Sequence, residues 1–132
     1  NEFLAGLSKK WSLQPKSPGW EIAWVAIVDG HFVGHLNLRC GGIEASRHRM
    51  RLGMGIIAPY RSMGIGKALA KAAIDWAKAQ PDIAWIDLSV FAKNTTAQKL
   101  YRSLGFLDQW LIQDALRVEG ERIDDIQMVL KV

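Results

Sequence analysis

Cysteine is almost absent: Cys40 is the single one in 132 residues. An intrachain disulfide and any metal site built on cysteine pairs are thereby excluded, a reducing compartment fits, and the lone thiol reads as a strand residue rather than a nucleophile. No apolar run approaches the roughly 20 residues that a membrane span requires. Nor does an apolar stretch before a small-residue cleavage site stand near the start, so a cytoplasmic location is expected. Repeats and low-complexity tracts are also missing, and the first residue is Asn rather than Met, so the chain reads as an excerpt of a longer product. What the sequence does have is apolar mass. At 49% apolar residues with six Trp it can bury a core of its own, and its length suits one domain. The net charge of +4 is modest, and its placement says more than its sum. Arg47, His48, Arg49 and Arg51 lie together, while Arg61, Lys67, Lys71 and Lys78 sit in or beside one expected helix, a balance that suits a polyanionic small molecule or nucleic acid.

Asn1 to Leu13 carries Phe3, Leu4, Leu7 and Trp11 at helical spacing before Pro15 and Pro18, which predicts a helix and then a loop. Trp20 to Val28 and the alternating His31 to Leu38 flank Asp29-Gly30, the signature of a β-hairpin. Cys40 to Ser46 reads as a loop and Arg49 to Ile57 as a third strand, whose interior glycines Gly53 and Gly55 suggest a bulge or a close approach by another group. From Met63 to Ala79 the apolar stripe Ile65, Leu69, Ala72, Ala73 and Trp76 opposes Lys67, Lys71, Asp75 and Lys78, predicting an amphipathic helix. A strand follows at Ile83 to Phe91, and this strand, helix, strand order implies a parallel crossover. Asn94 is placed to cap a short helix over Thr95 to Leu104 that Gly105 ends. Two last strands, near Leu107 to Leu116 and Ile123 to Val132, complete an α/β domain with a mixed sheet.

Within Arg61 to Ala68 (RSMGIGKA), Gly64 and Gly66 stand where a helix begins, flanked by cations. Backbone N–H groups at a helix N-terminus are unpaired and carry the positive end of its dipole, so glycines there let an anion approach the main chain. A nucleoside-triphosphate loop is excluded because Ala68 stands where Ser or Thr must reach Mg²⁺, and Arg61 where the first Gly belongs. A dinucleotide fingerprint can be laid on Gly53, Gly55 and Ala58, but Pro59 and a further stretch of chain part it from the helix that would hold the pyrophosphate.

Ile56 to Leu69 (IIAPYRSMGIGKAL) and Leu88 to Phe106 (LSVFAKNTTAQKLYRSLGF), in that order and separated by one amphipathic helix and a strand, resemble the two signature motifs of the GNAT superfamily of acetyl-CoA-dependent N-acetyltransferases. The Asp29-Gly30 hairpin and Gly120 to Met128 (GERIDDIQM) are similar as well, so the likeness runs from Trp20 onward. Many relatives close the central strand with Val-Asp-Pro, where this chain has Ile56-Ile57-Ala58 and Pro59 one place later. The resemblance implies a mixed, mostly antiparallel sheet with a splayed central parallel pair flanked by helices. It also implies that residues 1–132 form one N-acetyltransferase domain, with the family's first strand and helix falling before Asn1.

By the same resemblance, acetyl-CoA is the acyl donor and a primary amine the acceptor, with no metal. The coenzyme A diphosphate would lie on the amides of Met63, Gly64, Ile65, Gly66 and Lys67, next to Arg61 and Ser62. Its pantetheine arm would pair with Gly55, Ile56 and Ile57, where an amide of Ile56 or Ile57 would hold the thioester carbonyl. Asn94 would be a further coenzyme A contact as well as a cap, and Tyr101 would protonate the departing thiolate. Lys67 and Lys71 could reach the adenosine end or simply form a solvated helix face. A protonated amine cannot attack, so a base is needed; Glu44, His48, His35 and a water chain all remain open, and Asp87 and Ser89 could face the site or pair structurally. A non-catalytic acyl-CoA-binding regulator on the same fold would keep Arg61, Gly64 and Gly66 without needing Tyr101. A nucleic-acid binder using Arg47 to Arg51 ranks last, because that cluster alternates with apolar residues. No nucleic-acid or membrane partner is expected, and a homodimer stays open.

Overall fold

The computed structural model describes residues 2–4 and 16–132. Strand β1 (Glu2–Leu4) is followed by β2 (Glu21–Val28), β3 (His31–Cys40) and β4 (Arg49–Ile56), then α1 (Ile65–Lys78), β5 (Trp85–Phe91), α2 (Thr95–Ser103), β6 (Leu107–Val118) and β7 (Glu121–Lys131). The strands form one sheet in the order β1-β2-β3-β4-β5-β7-β6. Neighbours run antiparallel except β4 and β5, the parallel pair that α1 connects. The expectation of a helix over Asn1 to Leu13 is corrected at Glu2–Leu4, which is extended and pairs with Val25 to Ile27 of β2. Three residues gain more from a waiting strand edge than from an isolated helical turn, whose nucleation is costly. The rest of that segment lies outside the described residues.

The hairpin between β2 and β3 turns at Asp29 and Gly30, both at positive φ, the pair of left-handed residues that a two-residue loop requires. On one side of the sheet Trp24, Leu36, Leu38, Met50, Leu52, Ile86, Leu88 and Met128 are buried together with Ile65, Leu69, Ala73 and Ala77 of α1. Trp76 locks the helix down: its ring lies 6.1 Å from Trp20 and 5.8 Å from Trp24. Cys40 closes β3 inside this core, and burial raises its thiol pKa, so it is a packing residue as expected.

The pairing of β4 with β3 runs without a register break from Gly34↔Ile56 to Cys40↔Met50. No bulge explains Gly53 and Gly55; cross-strand side chains do. A β-carbon on Gly53 would stand 2.8 Å from Asn37 Oδ1, and one on Gly55 would stand 3.0 Å from His35 Cε1. The two residues directly opposite, Asn37 and His35, lie over the glycines.

Candidate functional site

In an antiparallel ladder, successive residues turn their peptide groups toward opposite neighbours. Ile57 N–H donates to the Val33 carbonyl at 3.0 Å, and the Arg49 carbonyl accepts from Gly41 N–H at 3.2 Å, so odd-numbered residues of β4 serve β3. Even-numbered residues therefore face β5. The parallel pairing ends at Arg51↔Asp87, and beyond it the two strands part. Met54 and Ile56 consequently present main-chain groups to an open edge, except that the Ile56 carbonyl already accepts from Arg61 Nε at 3.0 Å. Gly55, expected on that edge, spends its peptide groups on β3; Ile57, also expected there, gives its N–H to β3 while its carbonyl accepts from Tyr60 N–H at 3.0 Å. The free amide of the predicted pair is that of Ile56.

At the end of this edge the chain makes a short 3₁₀ turn, Ala58–Tyr60, and enters α1 through Ser62 at φ 60° and Gly64 at φ 82°. A left-handed residue followed by a right-handed one, as at Gly64 and helical Ile65, turns consecutive N–H groups toward one point, the geometry of an anion-binding nest. Among the described residues, no carbonyl or side chain accepts from the amides of Ser62, Met63, Gly64, Ile65, Gly66 or Lys67; the first helical bond is Ala68 N–H to the Gly64 carbonyl. Open space surrounds Gly64, whereas a β-carbon on Gly66 would meet Ile56 Cδ1 at 3.1 Å, Met54 Cε at 3.3 Å and Leu100 Cδ2 at 3.4 Å. Gly66 thus seats the nest against the open edge and against α2. Lys67 and Lys71 lie on the exposed side of α1.

The second helix is fixed at its start by Asn94, whose Oδ1 accepts from Ala97 N–H at 3.1 Å. Buried Gln98 donates to the carbonyls of Phe91 and Ala92 at 3.0 and 2.9 Å, which ties α2 to the end of β5. Its signal in sequence was only a polar residue on an apolar helix face. Tyr101 is 6% exposed and stands edge-on to Phe106, with ring centroids 5.7 Å apart. Burial raises the phenol above the ordinary tyrosine value, so it stays protonated at neutral pH. Its hydroxyl has no hydrogen-bond partner among the described residues, yet it is not one of the sealed polar atoms.

The arginines of the basic cluster are individually engaged, Arg47 in the turn before β4 and Arg49 and Arg51 on the sheet face away from the helices. Arg47 pairs with Glu44 at 2.6 Å. Arg49 makes a two-pronged bond to Asp87, 2.8 and 2.5 Å long, with its guanidinium 4.9 Å from the centre of the Trp85 ring. Arg51 reaches across β5 to Ser89 Oγ and, at 3.5 Å, to Gln127 Oε1. Gln127 Nε2 in turn donates to Ser89 at 2.6 Å and to Asp125 at 3.0 Å. Asp125 is 8% exposed, and its Oδ1 is sealed with no hydrogen-bond partner among the described residues. Gln127 and Asp125 were missed from sequence, although their spacing of two in a strand marked them for one face. His35 borders a concavity of about 340 Å³ with Phe32, Gly55, Ile57 and Arg61. Glu44 and His48 sit at the other end of β4, beside its start.

A sequence model of the acetyltransferase (GNAT) family matches residues 5–106. The N-acetylaspartate synthetase of Rattus norvegicus is 33% identical over 91 residues, covering 69% of this chain and 29% of that protein. An L-amino acid N-acetyltransferase of Escherichia coli (strain K12) is 29% identical over 104 residues, covering 79% of this chain and 64% of the relative. Among solved structures, an acetyltransferase of the GNAT family from Streptococcus pneumoniae superposes with a TM-score of 0.81 at 27% identity, over 85% of this chain and 67% of that one. The chain therefore spans less than two thirds of the length of these curated relatives.

Proposed function

Because the chain belongs to the acetyltransferase (GNAT) family, we propose that it transfers an acetyl group from acetyl-CoA directly to a primary amine. The observation that carries this reading is the row of unpaired amides from Ser62 to Lys67, seated by Gly66 against the open edge of β4. The cradle fits a diphosphate: it offers converging N–H donors, a helix dipole and, at Gly64, no β-carbon in the way. Arg61, held by its Nε on the Ile56 carbonyl, keeps its remaining guanidinium donors for the same anion.

When bound, acetyl-CoA supplies an activated acyl group. The amide and carbonyl of Met54 and the amide of Ile56 pair with an extended, amide-bearing arm as they would with a strand. The Ile56 amide stabilises the negative charge that develops on the acyl oxygen as the amine attacks. Tyr101, kept protonated by burial, gives a proton to the departing sulfur. The Asn94 side chain is already occupied as a helix cap through its Oδ1, leaving its Nδ2 donors for the cofactor. His35 is the candidate base that borders the open end of β4, alone or through a water chain. The names of two relatives, an L-amino acid N-acetyltransferase and an N-acetylaspartate synthetase, support an amino acid as acceptor. Residues 1–132 are read as one domain on their continuous sheet, in a cytoplasmic setting that suits a lone, unpaired thiol.

An amine panel followed by coenzyme A release tests the reading. At least one amine should turn over, and Tyr101→Phe should lose about 100-fold in kcat while still binding acetyl-CoA. Tight acetyl-CoA binding with no turnover on any amine would overturn it in favour of a binding regulator.

A further inference from the structure

The face opposite the helices holds a groove of about 460 Å³ whose walls include Arg49, Arg51, Trp85, Trp110 and Gln127. Its two arginines differ in charge balance. Arg49 is neutralised by Asp87 and flattened on Trp85. Arg51 is held only by Ser89 and Gln127, both neutral, and forms no ion pair among the described residues; the carboxylate of Asp87, its cross-strand neighbour in the groove wall, is committed to Arg49. The nearest acid in that chain of bonds, Asp125, is reached only through the Gln127 amide. A guanidinium oriented by neutral partners, at a groove with indole walls, is organised to receive an anion that comes with apolar surface. Arg51 also marks a particular level of the sheet. It is the last β4 residue paired with β5, so it stands where the open edge begins, three residues or roughly 10 Å along the strand from Met54.

We infer that this groove is the acceptor subsite and that Arg51 binds a carboxylate of the acceptor, so that the amine offered to the open edge belongs to an amino acid or another amine carrying a carboxylate a few bonds away. Ser89 and Gln127 are positioning residues that hold the guanidinium, and Trp85 and Trp110 take the acceptor's apolar part. The inference rests on the acetyltransferase reading and adds to it the residue and the charge by which the acceptor is chosen.

The test compares each of several amino acids with its own carboxamide, which keeps the amine and side chain and deletes only the anion. Wild type should favour the acid over the amide in kcat/KM. Arg51→Met should remove a charged hydrogen-bond partner and reduce that preference about ten- to hundredfold, chiefly through KM. Arg51→Lys, a point charge without the fork, should restore part of it. Melting temperatures of both variants check that the fold survives, and Gln127→Leu gives a second route to disturbing Arg51 if Arg51→Met does not fold. Calorimetric titration of the same acid and amide pairs into the protein reads the subsite without turnover: acids should bind wild type more tightly, and Arg51→Met should erase the difference. Equal binding of acids and amides by wild type, or a preference that Arg51→Met leaves intact, overturns the inference even if amines are acetylated. Selective acid binding with no acetylation of any amine would instead uphold the subsite and sink the acetyltransferase reading.

Discussion

Gly64 holds φ at 82° with open space where a β-carbon would go, whereas Gly66 is an ordinary helical residue whose missing β-carbon leaves room for Ile56, Met54 and Leu100. The two therefore fail differently. Gly64→Ala forces a left-handed alanine, costing about 1 to 2 kcal/mol, and relief of that strain swings the nest amides out of line. Denaturant unfolding should show that loss, and titration should show weakened acetyl-CoA binding. Gly66→Ala presses only on the flexible ends of three side chains and should cost less in both measurements; a reversed order would mean that the nest geometry does not matter. Tyr101 carries a pH signature. Burial raises its pKa, so above pH 10 the folded chain keeps a proton that the unfolded chain releases. Its contribution to stability is complete below that pH and is lost as pH climbs through the folded value. The fall of melting temperature above pH 10 should accordingly be shallower in Tyr101→Phe than in wild type.

At the scale of elements, β4 has two different edges. Its odd residues are spent on β3, as the Ile57 to Val33 bond records, and its even residues beyond Arg51 face a strand that has turned away. Hydrogen exchange should show this alternation directly: the amides of Met54 and Ile56 should exchange faster than those of Gly53 and Gly55, and acetyl-CoA should slow the fast pair selectively. Uniform protection along β4 in the free protein would contradict the open edge. The glycines at 53 and 55 announced that something unusual happens in this strand. They did not say what, because Asn37 and His35, which lie over them, come from a different strand, and a period-two pattern does not encode which side chain leans across. The α1 stripe was more legible, since Ile65, Leu69 and Ala73 are buried as their spacing demands. Trp76, at the end of the same stripe, packs half-buried against the core through the indoles of Trp24 in β2 and of Trp20 just before it.

Across the whole molecule, what could be read from sequence is what local chemistry specifies: the Asp29-Gly30 turn, the glycines at the start of α1, the Asn94 cap. The first strand escaped because three residues carry too little pattern to outweigh a helical spacing that extended past them. The Arg51, Ser89, Gln127 and Asp125 chain of bonds escaped for a different reason. It joins β4, β5 and β7 across 76 positions of sequence, and no window of residues contains it. The parallel joint of β4 and β5 has a mechanical consequence. It is fastened at Arg49 to Arg51 against Trp85 to Asp87 and reinforced there by the Arg49 to Asp87 ion pair, while its other end gapes. A seam closed at one end and open at the other should bend most easily about the closed end, as the leaves of a hinge do. How stiff that hinge is sets how firmly anything lodged between the leaves is gripped, and how soon it is let go.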